Sequence, residues 1–303
     1  MDKLGVIDLG TNTFHLLLVE PKPDGTFTEL YRKQYFVKLA SEGIEKIGAT
    51  PFATGLEVMQ LFKETLDVQQ VRFVRAFGTA ALRTASNGEA FIQQVKALTG
   101  IEVQLISGER EAALIHKGVL LAVPFGDDPM LIMDIGGGSV EFIIADQRQV
   151  YWSHSFPIGV AVLFNRFHKS DPIASDEIRA VQAFLKEHLA PLRQALLQFP
   201  VRHLVGASGT FDVLENILVE HKIHPHHSFL NTAKFPVFYQ KILHSTLQER
   251  LKMEGMPAIR ADMIVVALIL IDFVLELSST PIEQIIISAF AMKEGMLHEM
   301  MAH

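Results

Sequence analysis

Two stretches of the chain share one pattern of apolar and polar positions. "GVIDLGTNTFHLLLVE" (5–20) and "LIMDIGGGSVEFIIAD" (131–146) each read as an apolar run, a short glycine-containing turn and a second run in which polar and apolar residues alternate. Laid over one another, they place Asp8 on Asp134, Gly10 on Gly136, Thr13 on Ser139 and His15 on Glu141, at a constant offset of 126 residues (8 to 134). An offset of domain size predicts a duplicated domain rather than a solenoid of short repeats.

The pattern downstream is also similar in the two halves. "FTELYRKQYFVKL" (27–39) reads as a third strand, followed by a helix near 51–68 and a strand, "VRFVRAF" (71–77). "NGEAFIQQVKALTG" (87–100) has helical spacing and ends on Gly100, a C-cap residue. "IEVQLI" (101–106) is a strand and 107–123 a helix. The second half repeats this order, with its third strand at 149–158, later strands at 202–207 and 283–288, a last helix, and extra helical length between 209 and 277. The expectation is an α/β protein of two domains, each a mixed five-stranded sheet with flanking helices, and a cleft between them. "PFGDDP" is the best linker. It divides the chain into 1–124 and 125–303, with the last helix able to pack back on the first domain.

Composition narrows the class of partner. The chain has 303 residues, 49% of them apolar, enough for two hydrophobic cores. A net charge of −7 argues against a nucleic-acid partner held by bulk electrostatics. With no cysteine, disulfides and thiolate metal sites are excluded. The most apolar segment, "MIVVALILIDFVLEL" (263–277), is interrupted by Asp272 and Glu276, so a buried helix is expected and no membrane span. The first residues lack a cationic start followed by an apolar stretch, so a cytoplasmic protein is expected. A homodimer is left open.

The two turns carry the candidate chemistry. A phosphate is held where several backbone N–H groups point into one concavity, and glycine lets the backbone approach it closely. Gly10, Thr11, Asn12 and Thr13 in the first turn, and Gly136, Gly137, Gly138 and Ser139 in the second, form such a pair. Asp8 and Asp134 end apolar strands, where a carboxylate can hold Mg²⁺. Either turn alone is equally an ordinary hairpin; two at a domain-sized offset are the stronger signal.

Together "DLGTNTF" and "DIGGGSVE" resemble the two phosphate motifs of the superfamily of actin, heat-shock chaperones and sugar kinases, with its actin-like ATPase (ribonuclease H-like) fold. "GASGT" (206–210), with Gly209, resembles that superfamily's third, adenosine-side motif. More narrowly the chain resembles the exopolyphosphatase/guanosine pentaphosphate phosphohydrolase family. "DLGTNTFHLLL", "GTAALRTASNGEAF", "ISGEREAALIHKGV", "DIGGGSVEFII", "VGASGT", "RADMIVVALIL" and "SAFAMKEGML" carry this resemblance from residue 5 to 297.

The resemblance implies roles. Glu111 matches the family's general base for water attacking a terminal phosphate, and Arg83 an arginine beside the transferred phosphate. Asp134 and Glu141, helped by Asp8, match acids that bind the divalent cation, Mg²⁺ or another. Polyphosphate or guanosine pentaphosphate is the implied substrate. On residues alone, Glu109 and Glu111 are equally acids of a first helical turn, and Arg83 a surface arginine. Departures are Arg110 for a second acid, Val140 for a threonine, Val162 and Lys293 for arginines, and Ala291 for a glycine. The loss of a cleft arginine and the absence of the longer members' extra helical domain imply short polyphosphates or the nucleotide rather than long chains. A sensor module that binds without hydrolysis and an ATP-dependent phosphotransferase are the alternatives. "HKIHPHH" (221–227) is expected as a surface loop, and Arg260 as an ion-pair partner of Asp262.

Overall fold

The computed structural model describes residues 2–302; Met1 and His303, the outer ends of the two expected domains, lie outside the described residues. The first half opens with three strands, β1 (Leu4–Leu9), β2 (Thr13–Pro21) and β3 (Phe27–Phe36). Helix α1 (Ala49–Val68) leads to β4 (Phe73–Gly78), and α2 (Ala80–Thr84) and α3 (Gly88–Thr99) lead to β5 (Val103–Leu105). α3 stops at Gly100, whose φ of +71° is the left-handed conformation that glycine adopts without penalty. α4 (Gly108–Ala122) closes this half.

The second half repeats the plan with β6 (Met130–Ile135), β7 (Val140–Ala145) and β8 (Val150–Phe156). Helices α5 (Val160–Phe167), α6 (Ser175–His188) and α7 (Ala190–Gln198) precede β9 (His203–Ala207). Then come α8 (Gly209–Leu218), β10 (His227–Leu230), α9 (Phe235–Leu243), α10 (Leu247–Arg250) and α11 (Ile264–Leu277). β11 (Gln284–Ser288) and α12 (Met292–Met301) end it.

The first sheet has the order β3-β2-β1-β4-β5, its first three strands antiparallel and the other two parallel to β1. The second repeats that order as β8-β7-β6-β9-β11 and adds β10 antiparallel to β11. It therefore has six strands, not the expected five. The extra strand begins in the histidine run that was expected to be a loop. His227 is buried, and its Nδ1 lies 2.8 Å from the carbonyl oxygen of Ala122. His221 and His224 remain exposed.

The duplication extends to register. Asp8 stands opposite His15 across β1 and β2, and Asp134 opposite Glu141 across β6 and β7. Each third strand slips register after equivalent residues, Leu18 in one half and Ile144 in the other. A β-bulge re-aims a strand, so both meanders curl at the same place.

Apolar side chains of β1 and β2 alternate between two cores. Ile7, Leu16 and Leu18 pack with α1 and α3, whereas Val6, Leu17 and Val19 face α4 and α12. The second sheet turns Ile132, Ile143 and Ile286 towards the same two helices. α4 and α12 are thus a layer shared by both sheets, with α12 also touching β1. They cross with almost no side chain between them. A Cβ on Gly118 would stand 1.8 Å from the carbonyl oxygen of Ala291, and one on Gly295 1.9 Å from that of Leu114. Arg110 and Lys117 of α4 both pair with Glu299 of α12.

α11 is buried at every position from Ile264 to Ile271, and no helix of the described residues is long and apolar enough to cross a membrane. Asp262, just before it, pairs with Lys38 of the first half at 2.9 Å rather than with Arg260.

Candidate active site

The two hairpin turns meet at the cleft between the sheets. In each, the glycine after the strand closes the turn, Gly10 N–H donating to Thr13 O and Gly136 N–H to Ser139 O, both at 3.0 Å. Gly137 and Gly138 have a further reason to be glycine. A Cβ on Gly137 would lie 2.8 Å from the Asn12 amide, and one on Gly138 2.7 Å from Thr11 Oγ1. Neither has a positive φ. The run of glycines therefore serves close approach of one turn to the other, as well as leaving backbone N–H groups uncovered.

A cleft of about 480 Å³ opens there. Asp8, Gly10, Thr11, Asn12, Thr13, Glu111, Asp134, Gly136, Gly137, Gly138, Ser139, Glu141 and Gly209 all line it, so every expected site residue except Arg83 borders this one cleft. Arg83 lies behind Glu111, lining a neighbouring pocket. Its Nη1 donates to Ile106 O and stands 3.5 Å from Glu111 Oε2.

Glu111 reaches the cleft from the first turn of α4. Ser107 caps that helix, its Oγ accepting from Arg110 N–H at 3.2 Å. Gly108 lets the helix start press on β8, since a Cβ there would be 2.4 Å from Ser155 Cβ. Ser155 in turn donates to Glu141 Oε1 at 2.6 Å, and Ser139 donates to the same oxygen at 2.7 Å. One contact thus sets Glu111 beside the second hairpin.

Five acids share this space, Asp8, Glu111, Asp134, Glu141 and Asp212, and burial raises all of them. Desolvation pushes Glu111 well above the ordinary carboxylate range, and the nearby Glu141 adds to it while Arg83 opposes. Glu141 is pushed up to about 7 by burial and by Asp134, with Ser155 and Ser139 holding it back. Burial raises Asp8 to about 6, Lys293 working against it. Asp134 is raised by burial too, opposed first by the Ser208 hydroxyl. Ser208 adopts φ +72°, a left-handed conformation unusual for a residue with a side chain, at the mouth of the site.

No three histidine, aspartate or glutamate side chains among the described residues stand close enough to cage a metal ion by themselves. Buried acids with no basic ion-pair partner among the described residues nevertheless fit a hard divalent cation. Mg²⁺ binds through one or two carboxylates and completes its shell with water and substrate phosphate, so it does not need a full protein cage.

Basic side chains line the same cleft beside the acids. His15, Arg32, Lys33, Arg260 and Lys293 line it, none of them anticipated as site residues. His15 occupies the place of Glu141 in the repeat, which was the available signal. Burial, then Lys293, Arg260 and Arg32, drive its pKa well below the ordinary imidazole value. Arg260 lies over the start of α8, its Nη2 2.0 Å from where a Cβ on Gly209 would be.

A family model described as the Ppx/GppA phosphatase family matches residues 18–303. The chain belongs to that family. Two curated relatives are each called guanosine-5'-triphosphate,3'-diphosphate pyrophosphatase. The chain is 30% identical to that of Photobacterium profundum over 298 residues and 29% identical to that of Vibrio vulnificus over 299. Each match covers 98% of this chain but 59% of the relative, so the chain spans little more than half their length. A solved exopolyphosphatase from Cytophaga hutchinsonii is 39% identical, with a TM-score of 0.94 over 99% of this chain and 98% of that one. The Ppx/GppA member from Aquifex aeolicus, at 24% identity and TM-score 0.80 over 99% of this chain and 98% of that one, has the same fold. The fold expected from the paired hairpins is therefore that of a Ppx/GppA protein.

Proposed function

We propose that the chain removes the terminal phosphate of short polyphosphates or of guanosine pentaphosphate, with Glu111 as general base. The observation that carries this reading is the position of Glu111. Its carboxylate is buried at the cleft wall, 3.5 Å from Arg83 and adjoining both phosphate-type turns. The names of the relatives, an exopolyphosphatase and two guanosine pentaphosphate pyrophosphatases, support the substrate class.

In this reading the hairpin N–H groups and the hydroxyls of Thr11, Thr13 and Ser139 hold the terminal phosphates in line. Glu111 takes a proton from water as its oxygen attacks the terminal phosphorus. The bridging P–O bond breaks, and its electron pair stays on the shortened chain. Arg83 keeps Glu111 oriented and faces the departing phosphate. Asp134 and Glu141, with Asp8 behind them, would hold Mg²⁺, whose role is to offset phosphate charge. Residues 1–124 and 125–303 serve as the two jaws, α12 of the second resting on α4 of the first.

The test is phosphate release from polyphosphates of graded length, guanosine pentaphosphate and ATP, with and without Mg²⁺. Mg²⁺-dependent release from the short polyphosphates or the nucleotide is expected. Preference for the longest chains overturns the substrate assignment. Glu111→Gln should lower kcat by roughly 10³-fold with KM little changed, the scale of a lost general base. Unchanged turnover overturns its role.

A further inference from the structure

A second pocket of about 380 Å³ adjoins the cleft and shares Ala80, Gly138 and Ser139 with it as a common wall. It is bounded by the end of α2, the start of α4 and the β8 edge. Arg83, Thr84, Ser107, Glu109 and His154 are among the side chains that line it. Glu111 lines the cleft, and the arginine that faces it lines the pocket, so the Arg83–Glu111 pair sits between the two spaces.

That division matters for a hydrolase that cuts the end of a chain. The remaining polyanion fills the cleft on one side of the cut, so the freed phosphate cannot retreat that way without passing like charge. The space on the far side of Glu111 is the pocket. Arg83 is its inner cation, partly exposed, while His154, Thr84 and Glu109 are exposed near its mouth. An anion is thus drawn inward by Arg83 and not retained at the opening, where Glu109 repels it.

Resting on the hydrolase reading above, we infer that this pocket is the subsite and exit for the orthophosphate product, separate from the cleft that holds the rest of the substrate. His154→Glu adds negative charge to the exit, and Thr84→Trp narrows it. Both positions are exposed, and neither residue is part of the proposed catalytic machinery.

Both variants should cleave in a single turnover, followed by acid quench, at the wild-type rate. Steady-state release measured with a free-phosphate sensor should fall about tenfold, the scale of an introduced like-charge contact. Inhibition by added inorganic phosphate should weaken by a similar factor in His154→Glu. Wild-type release and wild-type inhibition in both variants overturn the assignment. A loss confined to KM for polyphosphate, with slowed single-turnover cleavage, overturns it too, because the pocket then takes substrate. If the wild type frees phosphate from no substrate, the hydrolase reading fails by itself. Direct titration of inorganic phosphate then decides the subsite: about tenfold weaker binding in His154→Glu upholds it, and equal binding overturns it.

Discussion

The first and second hairpins have nearly the same backbone and nearly opposite chemistry. Both close with a glycine N–H bond of the same length, both pair an aspartate with the residue seven positions on, and both strands bulge at equivalent points. Where the second has Glu141, the first has His15. Around Glu141 are hydroxyls that steady a carboxylate; around His15, burial first and then Lys293, Arg260 and Arg32 disfavour a charged ring. The duplicated frame supplies position, and a few side chains supply sign. Acidic and basic side chains thus line one cleft side by side, which suits the proposed binding of an anionic substrate together with a divalent cation.

Breaking the set of acids should have the largest effect. Glu141→His, which makes the second hairpin like the first, is expected to lower kcat about 100-fold or more, since even groups supporting metal ligands are worth roughly 10–100-fold. Phosphate release at saturating Mg²⁺ reads this. His15→Glu, the reverse exchange, should cost less, because it removes none of the proposed metal ligands; a larger loss than for Glu141→His would invert the comparison.

The shared layer beneath both hairpins comes next. Gly118→Ala places a methyl within 1.8 Å of a backbone oxygen, where no side chain can give way. A loss of about 2–3 kcal/mol is expected from such overpacking, read by thermal or denaturant unfolding. Wild-type stability would mean that the two helices can separate freely.

The pH dependence sharpens the picture of these acids further. Glu141 and Asp8 have pKa values raised to about 7 and about 6, so the folded protein holds protons that the unfolded chain gives up. Their contribution is favourable below the ordinary carboxylate range and is lost as pH rises through 6 to 7. Without divalent cation, Tm should therefore fall between about pH 5 and about pH 8, and Glu141→Gln should flatten that fall. A steeper fall in the variant would contradict the assigned burial. The smallest effect is expected from Ser155→Ala, which leaves Glu141 with Ser139 alone: a drop of about tenfold or less in turnover, at the low end for a supporting hydrogen bond.

Much of this was legible because it is periodic or duplicated. The hairpins, the succession of strands and helices, the position of Glu111 in a first helical turn and the Gly100 cap all follow from local pattern. What was hidden depends on distant partners. β10 is only four residues long and becomes a strand by pairing with β11, His227 standing opposite Ser288. Asp262 finds Lys38 across 224 residues, so proximity to Arg260 in sequence misled. The basic residues of β3 carry no motif, and only assembly of the two sheets turns Arg32 and Lys33 towards the space that Lys293 of α12 also lines. The sequence shows the glycines at 137 and 138 facing a ligand alone, because the opposing turn that crowds them lies in the other half.

The crossing of α4 and α12 sets the gauge of the whole site. Glu111 rides on α4 two turns before Gly118, about 10 Å along the same rigid rod. Any spacer inserted at the crossing would tilt that rod away from the second sheet and carry the carboxylate off the turn it serves. Two missing methyl groups, neither lining the cleft, therefore act as the shim that fixes the distance between the two sheets.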